Sequence, residues 1–563
     1  MYKRIKNILD STLGQNVILE IPKDSKMGHF ATPIAFILAK QENKNPKEIA
    51  EEIKNKLQNI REFEIITTLN GFINLKLSDE FLSQVAEDSL KNQDNFAKDE
   101  NQHQKILLEF VSANPTGPLH IGHARGAIFG DTLARIGKYL GYEIQKEYYI
   151  NDSGSQIEML GYSIFIAGQK ILKDSGKQKE ILDLPFIEGQ EMKKVEVSYP
   201  KDYYKGEYIV DLANEAIEKF GSEIFSFKEF DKEFVYSNEK IIPKTIQKLS
   251  DFGVEKMLDL IKDNLKNANI VFDNFISEKS LMKDFVPVLT KLRENNAIYN
   301  DEKEHSKIWL KSTLKGDEKD RVIVRDSSCP TYLCGDIIYH NDKFMRGFDK
   351  YINIWGADHH GYIARIKASI DFLGYDSNKL EIILSQMVSL LKGGKPYKMS
   401  KRAGNFILMQ DIIDEIGADA LRFVFLSKKA DTHLEFDIDV LKNEDSNNPI
   451  YYINYANARI HTILGKSTAK EMYDFSNLDS MWKDLLIYAL LLPKILEGAF
   501  SERALQKLPE YLKNLASKLH FCYNSSKILN NPNEGSIISI LKIVSLSITT
   551  GLSLMGITAK TKM

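Results

Sequence analysis

At 563 residues, 43% hydrophobic and 27% charged, the chain is long enough for several cores and too apolar for a disordered protein. Its net charge of −3 advertises no nucleic-acid partner, although a local basic face can still hold phosphates. The three cysteines, Cys329, Cys334 and Cys522, form no CxxC pair, which excludes a disulfide framework, argues against zinc and fits a reducing compartment. Met1 to Lys6 leads into an amphipathic pattern and not a signal sequence, and no apolar run is expected to reach the ~18 residues of a membrane span.

Residues 1–95 read as a small α+β unit. Pro46 suits a first helical turn, with Ile49, Ile53 and Leu57 on one face. Asn70-Gly71 marks a hairpin turn between two short apolar strands. After a polar linker, Lys105 to Gly141 reads as strand, loop and helix. Ile106 to Val111 is the strand, Ser112 to Leu119 the loop, and Ile121, Ala124, Ile128, Thr132, Ile136 and Leu140 recur at helical spacing. His120 and His123 fall at the start of that helix. Such strand-to-helix loops bind nucleotides in open α/β sheets, because backbone N–H groups and the helix dipole face an anion there. Gly122, Gly126 and Gly130 form a stripe that suits either a flat ligand or a neighbouring strand.

A second strand follows at Glu143 to Ile150, and then Asn151-Asp152-Ser153-Gly154. Residues 165–300 are lysine-rich, largely helical and read as an insertion. The α/β pattern returns with strands at Arg321 to Val324 and Ile352 to Trp355 and an apolar run from Ile382 to Leu391. Gly393-Gly394-Lys395-Pro396 breaks the chain into a mobile loop carrying Lys398-Met399-Ser400-Lys401-Arg402. Beyond 431 the pattern is helical. Asn448-Pro449 opens one helix with Tyr451, Tyr452, Tyr455 and Arg459 along it, and Trp482 to Ala499, Leu508 to Tyr523 and Ile537 to Leu554 are long periodic segments.

The histidine pair and the cationic loop lie about 280 residues apart. In a doubly wound sheet both come to the carboxyl ends of strands. Two imidazoles and three cations suit attack at an α-phosphorus, where charge builds on phosphoryl oxygens. No Ser/His/Asp or Cys/His set stands out. A substrate carboxylate is already ionised at neutral pH and needs no protein base, so the expected reaction is adenylate formation with loss of pyrophosphate. Taken singly, the histidines also read as a core pair and the loop as a solvated charge run.

Together, His120-Ile121-Gly122-His123 and Lys398-Met399-Ser400-Lys401-Arg402 resemble a class I aminoacyl-tRNA synthetase. The finer pattern is similar to the arginyl-tRNA synthetase family: Ala113-Asn114-Pro115-Thr116-Gly117-Pro118-Leu119 before the histidines, Asn151 to Gly154, Trp355-Gly356-Ala357-Asp358-His359-His360-Gly361-Tyr362 and Asp419-Ala420-Leu421-Arg422. The resemblance covers nearly the whole chain.

It implies a Rossmann-type α/β catalytic domain over 105–430 with a helical insertion. An α+β N-terminal domain that binds the tRNA elbow and an all-α bundle over 431–563 that binds the anticodon complete the chain. It implies catalysis by His120, His123, Lys398 and Lys401. ATP, with Mg2+, is then held as substrate by Pro115, Gly117, Gly122, Gly356, Asp358, His360, Met399 and Ser400, with no structural metal. Glu109, Ser112, Asn114, Gln156, Tyr332 and Asp336 contact arginine, where Asp336 or Glu109 offers a carboxylate to the guanidinium. Without the resemblance, Asp336 reads as a helix cap or surface carboxylate, and His359 as a core residue. Tyr451, Tyr455 and Arg459 contact tRNA(Arg), while a tyrosine stripe also reads as bundle packing. The C-terminal Ala559 to Met563 departs from the family ending, which puts its part in anticodon binding in doubt. The partners implied are tRNA(Arg), L-arginine and ATP, with no membrane, for a cytoplasmic monomer. The alternatives are a class I synthetase for another amino acid, an HxGH nucleotidylyltransferase and a non-catalytic tRNA-binding paralogue.

Overall fold

The computed structural model describes residues 1–22, 24–98, 102–174, 184–186, 195–197, 203–225, 234–237, 240–301, 306–325, 330–397, 407–445 and 447–563. The chain divides into two compact units. One comprises Met1–Gln102, Tyr139–Gly141 and Lys442–Met563, and the other His103–Lys138 and Tyr142–Leu441.

In the second unit the elements that build the sheet and its cover run as follows. Strand β1 is Lys105–Glu109, helix α1 Ile121–Tyr139, β2 Glu143–Ile150, α2 Ser155–Asp174, α3 Glu207–Phe220 and α4 Lys244–Asn267. They continue with β3 Asn274–Ser277, α5 Tyr332–Met345, β4 Lys350–Gly356, α6 Ile363–Phe372 and β5 Leu380–Ser385. The five strands are parallel in the order β3-β2-β1-β4-β5, a doubly wound sheet whose order reverses at β1. Edge strand β3 comes from within the lysine-rich segment read as an insertion. Arg321–Val324 joins a separate antiparallel sheet with Ile298–Asn300 and Ile308–Leu310. The apolar run after Leu380 is two strands, β5 and Val388–Lys392, separated at Gln386 and Met387.

The glycine stripe of α1 resolves residue by residue. A Cβ on Gly130 would lie 2.4 Å from the Phe110 ring, so close helix–strand packing requires glycine there. At Gly126 the nearest atom, on Ile354, is at an ordinary 3.8 Å. At Gly122 the close neighbour is the His120 ring, 3.0 Å from where a Cβ would sit.

The first unit contains an antiparallel sheet, Phe30–Thr32, Phe72–Leu77 and Phe63–Leu69. Its hairpin turn has Asn70 at φ 49° and Gly71 at φ 88°, the doubly positive pair that an Asn-Gly sequence suits. Pro46–Leu57 is a helix capped by the Asn45 side chain. The C-terminal helices of the same unit are Pro449–Lys466, Ser480–Ala489, Leu492–Ser501, Lys507–Ser525 and Glu534–Leu554. The long periodic segment from Trp482 is therefore two helices, because Pro493 opens a new first turn after Leu491. Lys483 Nζ meets Asp79 at 2.8 Å, joining this bundle to the helix Asp79–Lys91.

One expectation needs correction. Glu534–Leu554 has the length and composition of a membrane span, contrary to the expectation that no apolar run reaches that length. Of its most apolar 18-residue window, 72% is buried within the bundle, which accounts for its apolar surface on all sides.

Candidate active site

The site lies at the carboxyl ends of β1, β2 and β4. Its first feature is a break in the backbone. After β1, Val111 (φ 69°) and Ser112 (φ 42°) both adopt left-handed conformations, costly for a β-branched residue. The break sets the Ser112 hydroxyl to donate to Glu109 Oε1 (2.9 Å) and to accept from the Tyr149 N–H (3.2 Å). The loop beyond is held by Tyr148 Oη on the Ala113 carbonyl (2.8 Å) and Tyr208 Oη, from α3, on the Thr116 carbonyl (3.1 Å). Asn114 Nδ2 donates to Gln156 Oε1 at 2.5 Å, bringing together two residues expected to hold the amino acid.

The two histidine rings are stacked, 3.6 Å between centroids. The Gly122 N–H donates to His120 Nδ1 (3.1 Å), and the His120 N–H to His123 Nδ1 (3.4 Å). Both Nδ1 atoms are therefore acceptors, so Nε2 carries the proton on each neutral ring. Burial lowers the His120 pKa. It lowers that of His123 to about 3, with His120 adding to the effect. At neutral pH the pair acts as two fixed N–H donors and not as cations.

Lys398, Met399, Ser400, Lys401 and Arg402 lie outside the described residues. The segments that flank them are held by hydrogen bonds. The Tyr397 hydroxyl donates to Glu415 Oε2 (3.0 Å). On the far side, Ile407 O accepts from the Ile121 N–H and the Met409 N–H donates to Leu119 O, both at 2.9 Å. The chain leaving the cationic loop thus pairs with the backbone around the histidines.

The strand register places Asn274, Glu147, Glu109 and Asn353 side by side across the sheet, a polar row through its centre. Helix α5 and the residue after it neutralise the row. Lys343, wholly buried, pairs with Glu109 and with Asn353 Oδ1 (2.9 Å). Arg346 meets Glu147 through both terminal nitrogens (2.5 and 2.8 Å), and Tyr339 Oη donates to Glu147 Oε1 (2.8 Å). Glu109 is thereby already partnered by a protein cation.

Asp336 lies two turns earlier on α5, at helical spacing with Tyr339 and Lys343 and so on the same face. It is neither cap nor surface carboxylate. Thr331 is the N-cap, and Asp336 is half-buried with a hydrogen bond from Tyr362. Burial, and then the charges of Glu278 and Glu109, push its pKa up to about 7 against that hydrogen bond. Tyr332, at the start of the same helix, is 56% exposed and lies against Gly154. The position of Glu278 in a lysine-rich stretch and of Lys343 in mid-helix gave no signal in the sequence.

Gly356, Asp358 and His360 are exposed on the short helical turn Ala357–Tyr362 that follows β4. His359 is not a core residue. Its side chain is 57% exposed and 3.6 Å from Asp358, on the turn that leaves the carboxyl end of β4.

In the other unit, Tyr451 and Tyr455 stack with centroids 6.2 Å apart, and Tyr455 is 40% exposed. The Arg459 guanidinium lies over Tyr455 (5.1 Å) and Tyr523 (4.0 Å). Asn454 and Asn457 hold Lys560 by its backbone N–H (2.9 Å) and carbonyl (3.0 Å), so the C-terminal segment docks on this tyrosine helix. Cys334 is a buried core thiol, and Cys329 lies outside the described residues.

Residues 85–461 match the family described as tRNA synthetases class I (R), catalytic domain. Residues 2–77 match the arginyl tRNA synthetase N terminal domain, and residues 453–563 the DALR anticodon binding domain. A Nitratiruptor protein named arginine–tRNA ligase is 53% identical over 567 aligned positions, covering 100% of both chains. A Campylobacter jejuni protein of the same name is 51% identical over 568, covering 100% of this chain and 99% of its own. A Campylobacter jejuni crystal structure titled putative arginyl tRNA synthetase superposes with TM-score 0.76 at 51% identity, covering 86% of this chain and 100% of that one. Thermus thermophilus arginyl-tRNA synthetase, at 18% identity, shares the fold over 100% of both chains with TM-score 0.75. With three family matches in chain order and whole-length relatives at this identity, the chain belongs to the arginyl-tRNA synthetase family of class I tRNA synthetases.

Proposed function

We propose that the protein is an arginine–tRNA ligase. It activates L-arginine with ATP to arginyl-adenylate and pyrophosphate, then transfers arginine to the 3′-terminal adenosine of tRNA(Arg), releasing AMP. The observation that carries the choice of amino acid is Asp336, a half-buried carboxyl that has no ion pair among the described residues while its acidic neighbour Glu109 is paired with Lys343. A guanidinium supplies the missing cation.

In this reading the arginine carboxylate attacks the α-phosphorus and the bond to pyrophosphate breaks. His120 and His123 donate from Nε2 to the phosphoryl oxygens, where charge develops. Lys398 and Lys401 add positive charge at the triphosphate, Met399 and Ser400 line its path, and Mg2+ enters with ATP as part of the substrate. Pro115, Gly117 and Gly122 border the nucleotide, and Gly356, Asp358 and His360 hold adenosine, with the Asp358 carboxylate accepting from ribose hydroxyls. Ser112, Asn114 and Gln156 orient the amino acid, and Tyr332 closes over it. The 2′-hydroxyl of the terminal adenosine then attacks the activated carbonyl and AMP leaves.

Residues 1–95 would bind the tRNA elbow. In the bundle over 431–563, Tyr451, Tyr455 and Arg459 offer stacking faces to anticodon bases. The enzyme is read as a cytoplasmic monomer. ATP-dependent charging of bulk tRNA with each labelled amino acid tests the proposal. Arginine alone should be charged, and failure of the purified protein to charge arginine would refute it.

A further inference from the structure

We infer that Tyr208 is a positioning residue for adenylate formation: its hydroxyl fixes the loop over 113–119 in the pose that brings Pro115 and Gly117 to the nucleotide. The inference rests on the functional reading above. It makes the helices α2 to α4, in the segment read as an insertion, a working part of the adenylation site.

The loop supplies little support of its own. It starts from the two left-handed residues Val111 and Ser112, and strained backbone persists only where its surroundings over-determine it. Inside the loop, one backbone hydrogen bond closes a turn, from the Thr116 N–H to the Asn114 carbonyl (2.8 Å). Among the described residues, the carbonyls of Ala113 and Thr116 are each satisfied by a phenol. Tyr148 belongs to β2, in the sheet, while Tyr208 belongs to the first turn of α3.

Tyr208 stands on a firm base. Helices α2, α3 and α4 share one core, in which Ile164 and Phe165 meet Leu212 and Ala216 of α3 and Leu249 and Phe252 of α4. The Tyr204 N–H donates to the Ser163 hydroxyl (3.0 Å), fastening the approach to α3 onto α2. The same body holds the loop a second time. Gln156, in the first turn of α2, accepts from Asn114 Nδ2 at 2.5 Å. These two contacts lie on either side of Pro115, so the pose of the helices sets the pose of the loop.

Gly117 records how closely the tyrosine approaches. Its φ is outside the left-handed region, so the backbone itself does not call for glycine. A Cβ there would lie 3.3 Å from the Tyr208 hydroxyl oxygen and 3.5 Å from the ring carbon that bears it, tighter than ordinary contact at the oxygen. Glycine thus gives Tyr208 room to reach the Thr116 carbonyl. Burial, and then Tyr204, push the Tyr208 pKa up, so the hydroxyl keeps its proton and stays a donor at neutral pH. The loop runs directly into His120, so slack at Thr116 is felt on both sides of the nucleotide. Misplaced reacting groups cost rate more than they cost ground-state binding.

Tyr208→Phe in the full-length protein deletes one oxygen and keeps the ring. In tRNA-supplemented pyrophosphate exchange, kcat should fall about five- to ten-fold (~1–1.4 kcal/mol), the size of one hydrogen bond. The KM values for arginine and ATP should stay within about two-fold of wild type, with the melting temperature unchanged. Tyr208→4-aminophenylalanine restores a donor at the same point and should return kcat to within about two-fold of wild type. A hydroxyl that served stability alone would lower the melting temperature and leave kcat in place. A kcat for Tyr208→Phe within about three-fold of wild type, or a loss that 4-aminophenylalanine does not restore, would overturn the assignment. A wild-type protein that charges no arginine would overturn the functional reading instead, so the two failures are told apart.

Discussion

Arginine binding should tighten as pH rises through neutrality. In the ligand-free site the Asp336 carboxyl titrates at about 7, because burial and the neighbouring charges of Glu278 and Glu109 disfavour its ionised form. The groups that oppose this are Tyr362, which donates to it, and Lys343, already shared with Glu109. The guanidinium binds the ionised carboxylate, so below pH 7 a proton must leave before arginine can enter. Affinity is therefore full above the folded-state value and is lost as pH falls through it. For one such group the ionised fraction changes from about 0.1 at pH 6 to about 0.9 at pH 8, so the dissociation constant should be about ten-fold weaker at pH 6, or ~1.4 kcal/mol. The guanidinium itself stays protonated throughout this window. Isothermal titration calorimetry in two buffers of different ionisation enthalpy measures both quantities. About 0.9 protons should be released per arginine at pH 6 and about 0.1 at pH 8. Asp336→Asn should flatten the profile. Equal dissociation constants at pH 6 and pH 8, with no dependence on buffer, would refute the assignment of Asp336 to the guanidinium.

The same titration has a stability consequence of opposite sign. A carboxyl whose pKa rises on folding favours the folded state below its unfolded value, and that contribution is lost as pH climbs towards about 7. Asp336→Asn should accordingly melt higher than the ligand-free wild type at pH 8, and match it near pH 4, in differential scanning calorimetry. Lys401→Ala should slow adenylate formation in tRNA-supplemented pyrophosphate exchange far more than it weakens arginine binding, and equal effects would contradict an electrostatic role in the transition state. Lys343→Met strands the Glu109 carboxylate in the sheet, and urea unfolding should show a loss of about 3–5 kcal/mol. Tyr455→Ala should raise the tRNA KM by the equivalent of ~1–3 kcal/mol per base stacked and leave the arginine KM alone.

The strand–loop–helix around His120 and the strand at Glu143 were legible because local signals agree there. An apolar run, a helix period and turn residues all point the same way over a short stretch. The Asn70-Gly71 hairpin was legible for the same reason. The division of Trp482 to Ala499 into two helices was not, since apolar residues keep the helical period across Leu490 and Leu491 and only Pro493 hints at a new start. Nor was the buried, span-like composition of Glu534–Leu554, which depends on neighbours covering every side of one helix.

The charges of the site were the least legible part, for a physical reason. Whether a carboxylate is available to a ligand depends on which cation has already taken it, and those partners are remote in the chain. Glu109 is paired with Lys343, 234 residues away, a partner that no local pattern announces. Glu147 alternates like any strand residue until Arg346, 199 residues away, is seen to clamp it. Asp336 looks like a surface carboxylate on a helix because its lack of an ion pair among the described residues depends on groups remote in the chain. With Lys343 and Arg346 paired to the sheet, Asp336 and its neighbour Glu278 have no ion pair among the described residues. On the proposed reading, a site for a cationic substrate is built by satisfying the carboxylates of the scaffold with protein cations and leaving that of the pocket unmatched. Helix α5 carries both kinds of group on one face, Lys343 paired with Glu109 of the sheet and Asp336 with no ion pair among the described residues.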